Sequence, residues 1–145
     1  MIIRQAIPDD FSEILELVHE FHSEGIDEYG IFCNDDVVNS IMPNLYKTSL
    51  VMEIDYRVQG VIAGYVTNHI MNKEPIYHEV MWFVSKKYRL HGIKLLKALE
   101  DMCKGMGIKQ IIMVNMGSLK NEAFGKFYTS QGYRLLETHY LKKLK

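Results

Sequence analysis

The chain has 145 residues, 48% of them hydrophobic and 11% aromatic, and 17 Lys and Arg against 18 Asp and Glu give a net charge of -1. That length and composition exclude disordered and collagen-like chains and predict one packed domain over residues 1–145, with no room for a second core. A near-neutral chain has no overall field to gather nucleic acid, and no run of about 18 apolar residues offers a membrane span, so neither kind of partner is expected.

Met1-Ile2-Ile3-Arg4 lacks the basic-then-apolar order of a signal peptide, so a cytoplasmic location is expected. Ile2 to Ala6 reads as a short strand. Pro8 with Asp9 and Asp10 then starts a helix, because proline loses nothing in the first turn and carboxylates suit that end of the dipole. Phe11, Ile14, Leu15, Val18 and Phe21 recur along it at helical spacing. His22 to Asn34 reads as a loop. Asp35 or Asp36 caps a second helix through Val37, Val38, Ile41 and Leu45, which Pro43 kinks or interrupts. Ser49 to Ile54 and Gln59 to His69 form a hairpin around Asp55-Tyr56-Arg57, and Ile76 to Val84 is the next strand.

A helix from His91 to Met106 buries Ile93, Leu96, Leu99, Met102, Cys103 and Met106 and stops at Gly105 and Gly107. Gln110 to Asn115 follows as a strand, Asn121 to Ser130 as a helix, and Tyr133 to Tyr140 as a final strand. The order predicts a layered α/β (α+β) fold: helices against a mostly antiparallel sheet, with one parallel pair where strand, helix and strand succeed one another. Cys33 and Cys103 are too few for a disulfide framework or a zinc site. His19 and His22 lie one helical turn apart, a spacing that suits metal, but without a Cys or third His nearby they read as surface residues, and no metal is expected.

The most informative stretch runs from Val80 to Leu99, where an apolar strand passes through Ser85-Lys86-Lys87-Tyr88-Arg89-Leu90-His91-Gly92-Ile93-Lys94 into an amphipathic helix. Such a junction gathers backbone N–H groups and the positive end of a helix dipole around one point, suited to a phosphate or pyrophosphate. Val84, Arg89 and Gly92 match the order Val-x-x-x-x-Arg-x-x-Gly-x-(Gly or Ala). This resembles the coenzyme A pyrophosphate loop of the GNAT superfamily of N-acetyltransferases, although Lys94 stands at the usual Gly or Ala and Leu90 where Gly is frequent. Asn121-Glu122-Ala123, Tyr128 and Gly132-Tyr133 likewise resemble the family's C-terminal signature, with every spacing kept.

The resemblance implies a sheet whose parallel strands splay apart to admit acetyl-CoA as co-substrate. It implies a coenzyme site at Val84, Arg89, Leu90, His91, Gly92, Ile93, Lys94 and Asn121. It also implies backbone donors on Val80 to Val84 for the developing oxyanion, and Tyr128 to protonate the departing thiolate. A base or a desolvating pocket must take the proton of the amine. Glu79 and His78 are adjacent on a strand, so at most one faces the cleft; Glu79 is preferred. Glu24, Asp27 and Glu28, in a stretch without Lys or Arg from His22 to Cys33, suit a cationic acceptor, either a small-molecule or a protein amine. Homodimers are common in the family. Tyr128 has a second reading, as an aromatic anchor beside Phe124 and Phe127, and a GNAT-like module that binds coenzyme A or a protein and transfers nothing stays open. A nucleotide-binding fold using the same turn is a third and remoter reading, because the turn lacks the lysine and hydroxyl that a P-loop places after its last glycine.

Overall fold

In the computed structural model, which describes residues 1–116 and 121–145, the chain forms two compact units, Met1–Val114 and Asn115–Lys145. The first unit opens with β1 (Ile2–Gln5) and a single 3-10 turn at Pro8–Asp10 that leads into α1 (Phe11–Phe21). Asp10 organises this corner. Its carboxylate accepts two hydrogen bonds from the Arg4 guanidinium, at 2.7 and 2.8 Å, and a third from the Ile7 N–H. Arg4 also donates to Glu53, so one guanidinium ties β1, the start of α1 and β2 (Leu50–Ile54) together. Burial opposes ionisation of Asp10, but the Arg4 and Ile7 donors outweigh it and hold the carboxyl below the usual range.

The expected loop from His22 to Asn34 is partly wound: a π-helical turn covers His22–Ile26 and a 3-10 turn Asp27–Tyr29. Helix α2 (Asp35–Ile41) is capped one residue earlier than expected, by Asn34, whose side-chain oxygen accepts from the Val37 N–H at 3.2 Å. A side chain must precede the first turn to reach its free N–H groups, and Asp35 and Asp36 already lie inside the helix. Pro43 falls in a 3-10 turn after α2, as its missing N–H requires.

Strands β2 and β3 (Arg57–Asn68) meet at a two-residue turn in which Asp55 and Tyr56 both adopt positive φ, 53° and 62°. This geometry matches the twist of a hairpin. Strand β4 (Pro75–Val84), α3 (Gly92–Gly105) and β5 (Gln110–Ile112) complete a five-stranded sheet of order β1-β2-β3-β4-β5. All neighbours are antiparallel except β4 and β5, which are parallel.

Helices cover both faces. Ile14 and Leu17 of α1 pack with Val51, Val61, Ala63, Met81 and Phe83. On the other side α3 buries Leu95, Leu96, Leu99 and Cys103. Leu95 joins this face, and Met106, expected on it, is exposed, because α3 ends at Gly105 and Met106 already belongs to its cap.

The second unit contains α4 (Asn121–Ser130), with the bounds expected of it. Gly132, at φ 88°, closes α4: its N–H donates to the Thr129 carbonyl and the Tyr133 N–H to the Tyr128 carbonyl at 3.0 Å. This is the glycine-dependent helix stop in which the residue after the glycine folds back on the last turn. The Tyr128 and Tyr133 rings accordingly meet, with centroids 5.6 Å apart. The expected strand from Tyr133 to Tyr140 is absent. The segment is irregular and exposes Leu135, Leu136, Tyr140 and Leu141, since a strand exists only through a partner's hydrogen bonds and none of the described strands pairs with it.

Candidate functional site

Strand β4 is paired on both sides only over its first residues. Ile76, Tyr77 and His78 pair with Gln110, Ile111 and Ile112, and β4 then runs on to Val84 with no strand partner on that side among the described residues. Against β3 the ladder continues but slips, so that Ala63 faces Met81 while Gly64 faces Glu79. Val80 is therefore an extra residue, a β-bulge, and it inverts the side-chain phase of the strand. Met81 and Phe83 belong to the core under α1. Tyr77 and Glu79 instead lie on the α3 side with Trp82 and Val84, the two side chains nearest to Gly92. Gly64 makes this possible, because a Cβ there would stand 2.2 Å from the His78 carbonyl oxygen and 2.5 Å from the Tyr77 ring.

Glu79 occupies the point where the strands part. Only 7% of it is exposed, and its Oε2 accepts a 2.8 Å hydrogen bond from the N–H of Val114, just past the end of β5. Burial pushes its carboxyl up to about 7, against the opposing pull of the Val114 N–H. His78 lies on the opposite face, half-buried, stacked on Tyr65 with centroids 5.3 Å apart and 2.9 Å from the Thr67 hydroxyl.

After Val84 the chain winds into a 3-10 helix, Lys86–His91, whose end is closed by a hydrogen bond from the Gly92 N–H to the Arg89 carbonyl, and it passes directly into α3. Leu90 is 94% exposed and Lys94 is exposed, while His91 and Ile93 are half-buried and Gly92 is buried. A Cβ on Gly92 would meet the Trp82 ring at 3.5 Å and Val84 at 3.7 Å, ordinary contacts, so packing alone does not demand glycine there. Lys86 and Lys87 precede and Lys94 follows the N-terminus of this 14-residue helix in sequence, and all three are exposed, a composition suited to a polyanion.

Arg89 reaches away from its own turn. Its Nη2 contacts both carboxylate oxygens of Glu24 at 2.5 Å, its Nε donates to the Val84 carbonyl, and the guanidinium lies 5.6 Å from the centre of the Phe83 ring. The structure thus joins two residues that the sequence reading gave to different sites, the coenzyme turn and the acceptor loop. Asp27 and Glu28 are exposed on the next turn.

In the second unit, Asn121 begins α4 and its Oδ1 accepts a 2.8 Å hydrogen bond from the Asn115 amide. Tyr128 is 8% exposed and packs against the rings of Phe124, Phe127 and Tyr133. The reading of Tyr128 as an aromatic anchor therefore has its contacts, and the spacing from Tyr128 to Gly132-Tyr133 serves the helix stop. Sequence reasoning missed the bulge at Val80, the Val114 N–H and the Arg89 pairing. Only an ionisable Glu79 inside an apolar strand was visible beforehand.

A mixed sheet with a parting parallel pair, a bulge in the inner strand of that pair and a basic turn at a helix N-terminus is an acetyltransferase architecture. The chain belongs to the acetyltransferase (GNAT) family, whose model matches residues 10–133. A search of curated proteins by sequence finds no significant match. Solved acetyltransferases share the fold at low identity. Ribosomal-protein-alanine N-acetyltransferase from Brucella melitensis biovar Abortus 2308 superposes with a TM-score of 0.77 at 14% identity, covering 99% of this chain and 98% of that one. An aminoglycoside acetyltransferase from an uncultured soil metagenomic sample, in complex with trehalose, gives 0.74 at 18%, covering 99% and 96%. AAC(6')-Iy in complex with the bisubstrate analogue CoA-S-monomethyl-acetylneamine gives 0.75 at 15%, covering 99% and 97%. No helix among the described residues is long and apolar enough to cross a membrane.

Proposed function

We propose that residues 1–145 act as a single acetyl-CoA-dependent N-acetyltransferase domain that transfers an acetyl group to a primary amine by direct attack in a ternary complex. The observation that carries this reading is the run of β4 beyond His78. It leaves β5, passes the buried Glu79, and leads to the basic turn at the N-terminus of α3. The family match spans both compact units, which supports treating them as one functional domain.

Acetyl-CoA supplies an activated thioester. The residues of the chain that fit it are the turn from Arg89 to Lys94, whose backbone and positive charges suit the diphosphate, and Val84, which leads into that turn. Backbone N–H groups of Val80 to Val84 that are not used in the sheet serve as donors to the oxyanion, each worth roughly 3 kcal/mol when preorganised. Glu79, with its proton poised near neutrality, takes the proton of the attacking ammonium, and His78, on the other face, is the weaker choice. Tyr128 returns a proton to the leaving thiolate, and Asn121 assists in holding the coenzyme. With Glu24 engaged by Arg89, Asp27 and Glu28 are the carboxylates left to receive a cationic acceptor. The fold neighbours include enzymes named for aminoglycosides and for a protein alanine, which supports an amine acceptor without choosing between small molecule and protein.

The test is release of free coenzyme A from acetyl-CoA in the presence of a broad panel of primary amines. The expected result is amine-dependent thiol release that Tyr128→Phe slows by about a hundredfold or more, the lower range for loss of a general acid, with coenzyme affinity unchanged. Coenzyme binding without release for any amine would overturn catalysis in favour of a binding module, and no binding at all would overturn the coenzyme site.

A further inference from the structure

The strongest unassigned cluster lies at the junction of α1 and α2, away from the parting strands. His19, in the last turns of α1, was set aside as a ligand because no cysteine stood near it in sequence. The fold brings one there. The His19 Nε2 lies 3.0 Å from the Asp35 Oδ1, the Cys33 Sγ lies 4.0 Å from the same oxygen, and all three donor atoms fall within 4.8 Å of one another.

We propose that His19, Cys33 and Asp35 form a binding site for a single Zn²⁺ ion that clasps the acidic segment between α1 and α2. A tetrahedral zinc holds nitrogen and oxygen at about 2.0–2.2 Å and sulfur at about 2.3 Å, so its ligand atoms stand roughly 3.3–3.6 Å apart. The observed separations of 3.0 and 4.0 Å lie on either side of that range, and the third, between the His19 and Cys33 donors, is within 4.8 Å. The donor set of one imidazole, one thiolate and one carboxylate matches zinc, which is borderline-soft, rather than magnesium or calcium, which take oxygen alone. Three protein ligands leave the fourth position to water. The ligands bracket their segment, with His19 before it and Cys33 and Asp35 at its end, so the ion would tie together the two ends of a segment whose middle is held by the Glu24–Arg89 pair. Val18, Phe21 and Val37 line an apolar depression that also borders Cys33 and shields one side of the site. Burial and the neighbouring Asp35 raise the thiol above its usual range, so the incoming cation must displace a proton from Cys33 as the Zn–S bond forms.

The experiment uses untagged full-length protein, stripped of metal and kept reduced, without acetyl-CoA. It is titrated with Zn²⁺ against a chromophoric chelator and, separately, with Co²⁺ followed by absorption. One Zn²⁺ per chain is expected, and Co²⁺ should give tetrahedral visible bands with a near-ultraviolet thiolate charge-transfer band. Cys33→Ser should abolish that band, and His19→Gln should weaken Zn²⁺ at least about tenfold, equivalent to about 1.4 kcal/mol. Circular dichroism is expected to be unchanged in both, since neither residue belongs to the buried core. Octahedral Co²⁺ without the charge-transfer band, binding below one ion per chain, or variants that bind Zn²⁺ as tightly as the parent would each overturn the site and leave only the His19–Asp35 pair. Neither result bears on thiol release, so this inference and the acetyl-transfer reading fail separately.

Discussion

At the scale of single residues, Glu79 carries the sharpest consequence. In the unfolded chain its carboxyl loses its proton near the reference value of 4.5, whereas burial in the native state holds it to about 7. Between those two values the native state binds more protons than the unfolded one, so stability falls as pH rises through the window, and the loss is complete above about 7. The penalty is about 3 kcal/mol. Glu79→Gln keeps an oxygen for the Val114 N–H and removes the charge. Urea unfolding of this variant is expected to show a flat stability across pH 4.5–7 and a higher midpoint than the parent at pH 8. If Glu79 is also the base, kcat/KM of the parent rises through pH 7, whereas the variant is at least about a hundredfold slower and lacks that rise. Strand alternation already set His78 and Glu79 on opposite faces. Which face each took was hidden, because the bulge at Val80 depends on β3 and on the missing side chain of Gly64, and neither leaves a mark in the periodicity of β4.

At the scale of elements, the sequence was legible where a signal is local and silent where it needs a distant partner. Pro8, Asp9 and Asp10 announced α1, and Gly132 announced the end of α4. The alternation from Tyr133 to Tyr140 announced a strand that does not form, because hydrophobic pattern offers a face but not the ladder of a neighbour. The start of α1 was read correctly for an incomplete reason. Asp10 was taken as a carboxylate favoured by the helix dipole, yet it is also the acceptor of three hydrogen bonds that lock β1 against α1. Its carboxyl is held below its unfolded value, so its contribution is fully present above that value and is lost as pH falls through the lower folded one. Asp10→Asn leaves Arg4 with one carboxylate instead of two, and it is expected to cost about 2 kcal/mol at pH 7. Thermal melts should show that cost shrinking as pH falls through the lowered folded value of the Asp10 carboxyl, and vanishing once the parent carboxyl is itself protonated.

At the scale of the molecule, the parts that make the fold and the parts proposed for chemistry divide unevenly between the two units. Among the described residues, every buried apolar side chain belongs to Met1–Val114 except Tyr128. All five described strands, the α1 and α3 helices that pack on them and the α3 turn lie within those 114 residues, as does the Val114 N–H that holds Glu79. The second unit brings Asn121 and the Tyr128 phenol. Stability and turnover are therefore expected to separate on truncation. A chain ending at Val114 should retain the circular dichroism of the sheet and a cooperative thermal transition, because all five described strands and the buried apolar residues that α1 and α3 pack against them lie within it, and it should release no coenzyme A from acetyl-CoA and amines. Loss of the cooperative transition would mean that residues 115–145 are needed for the core itself. Thiol release at the rate of the full chain would remove Tyr128 from the mechanism and leave acid catalysis to water, with Glu79 and the β4 edge carrying the reaction alone.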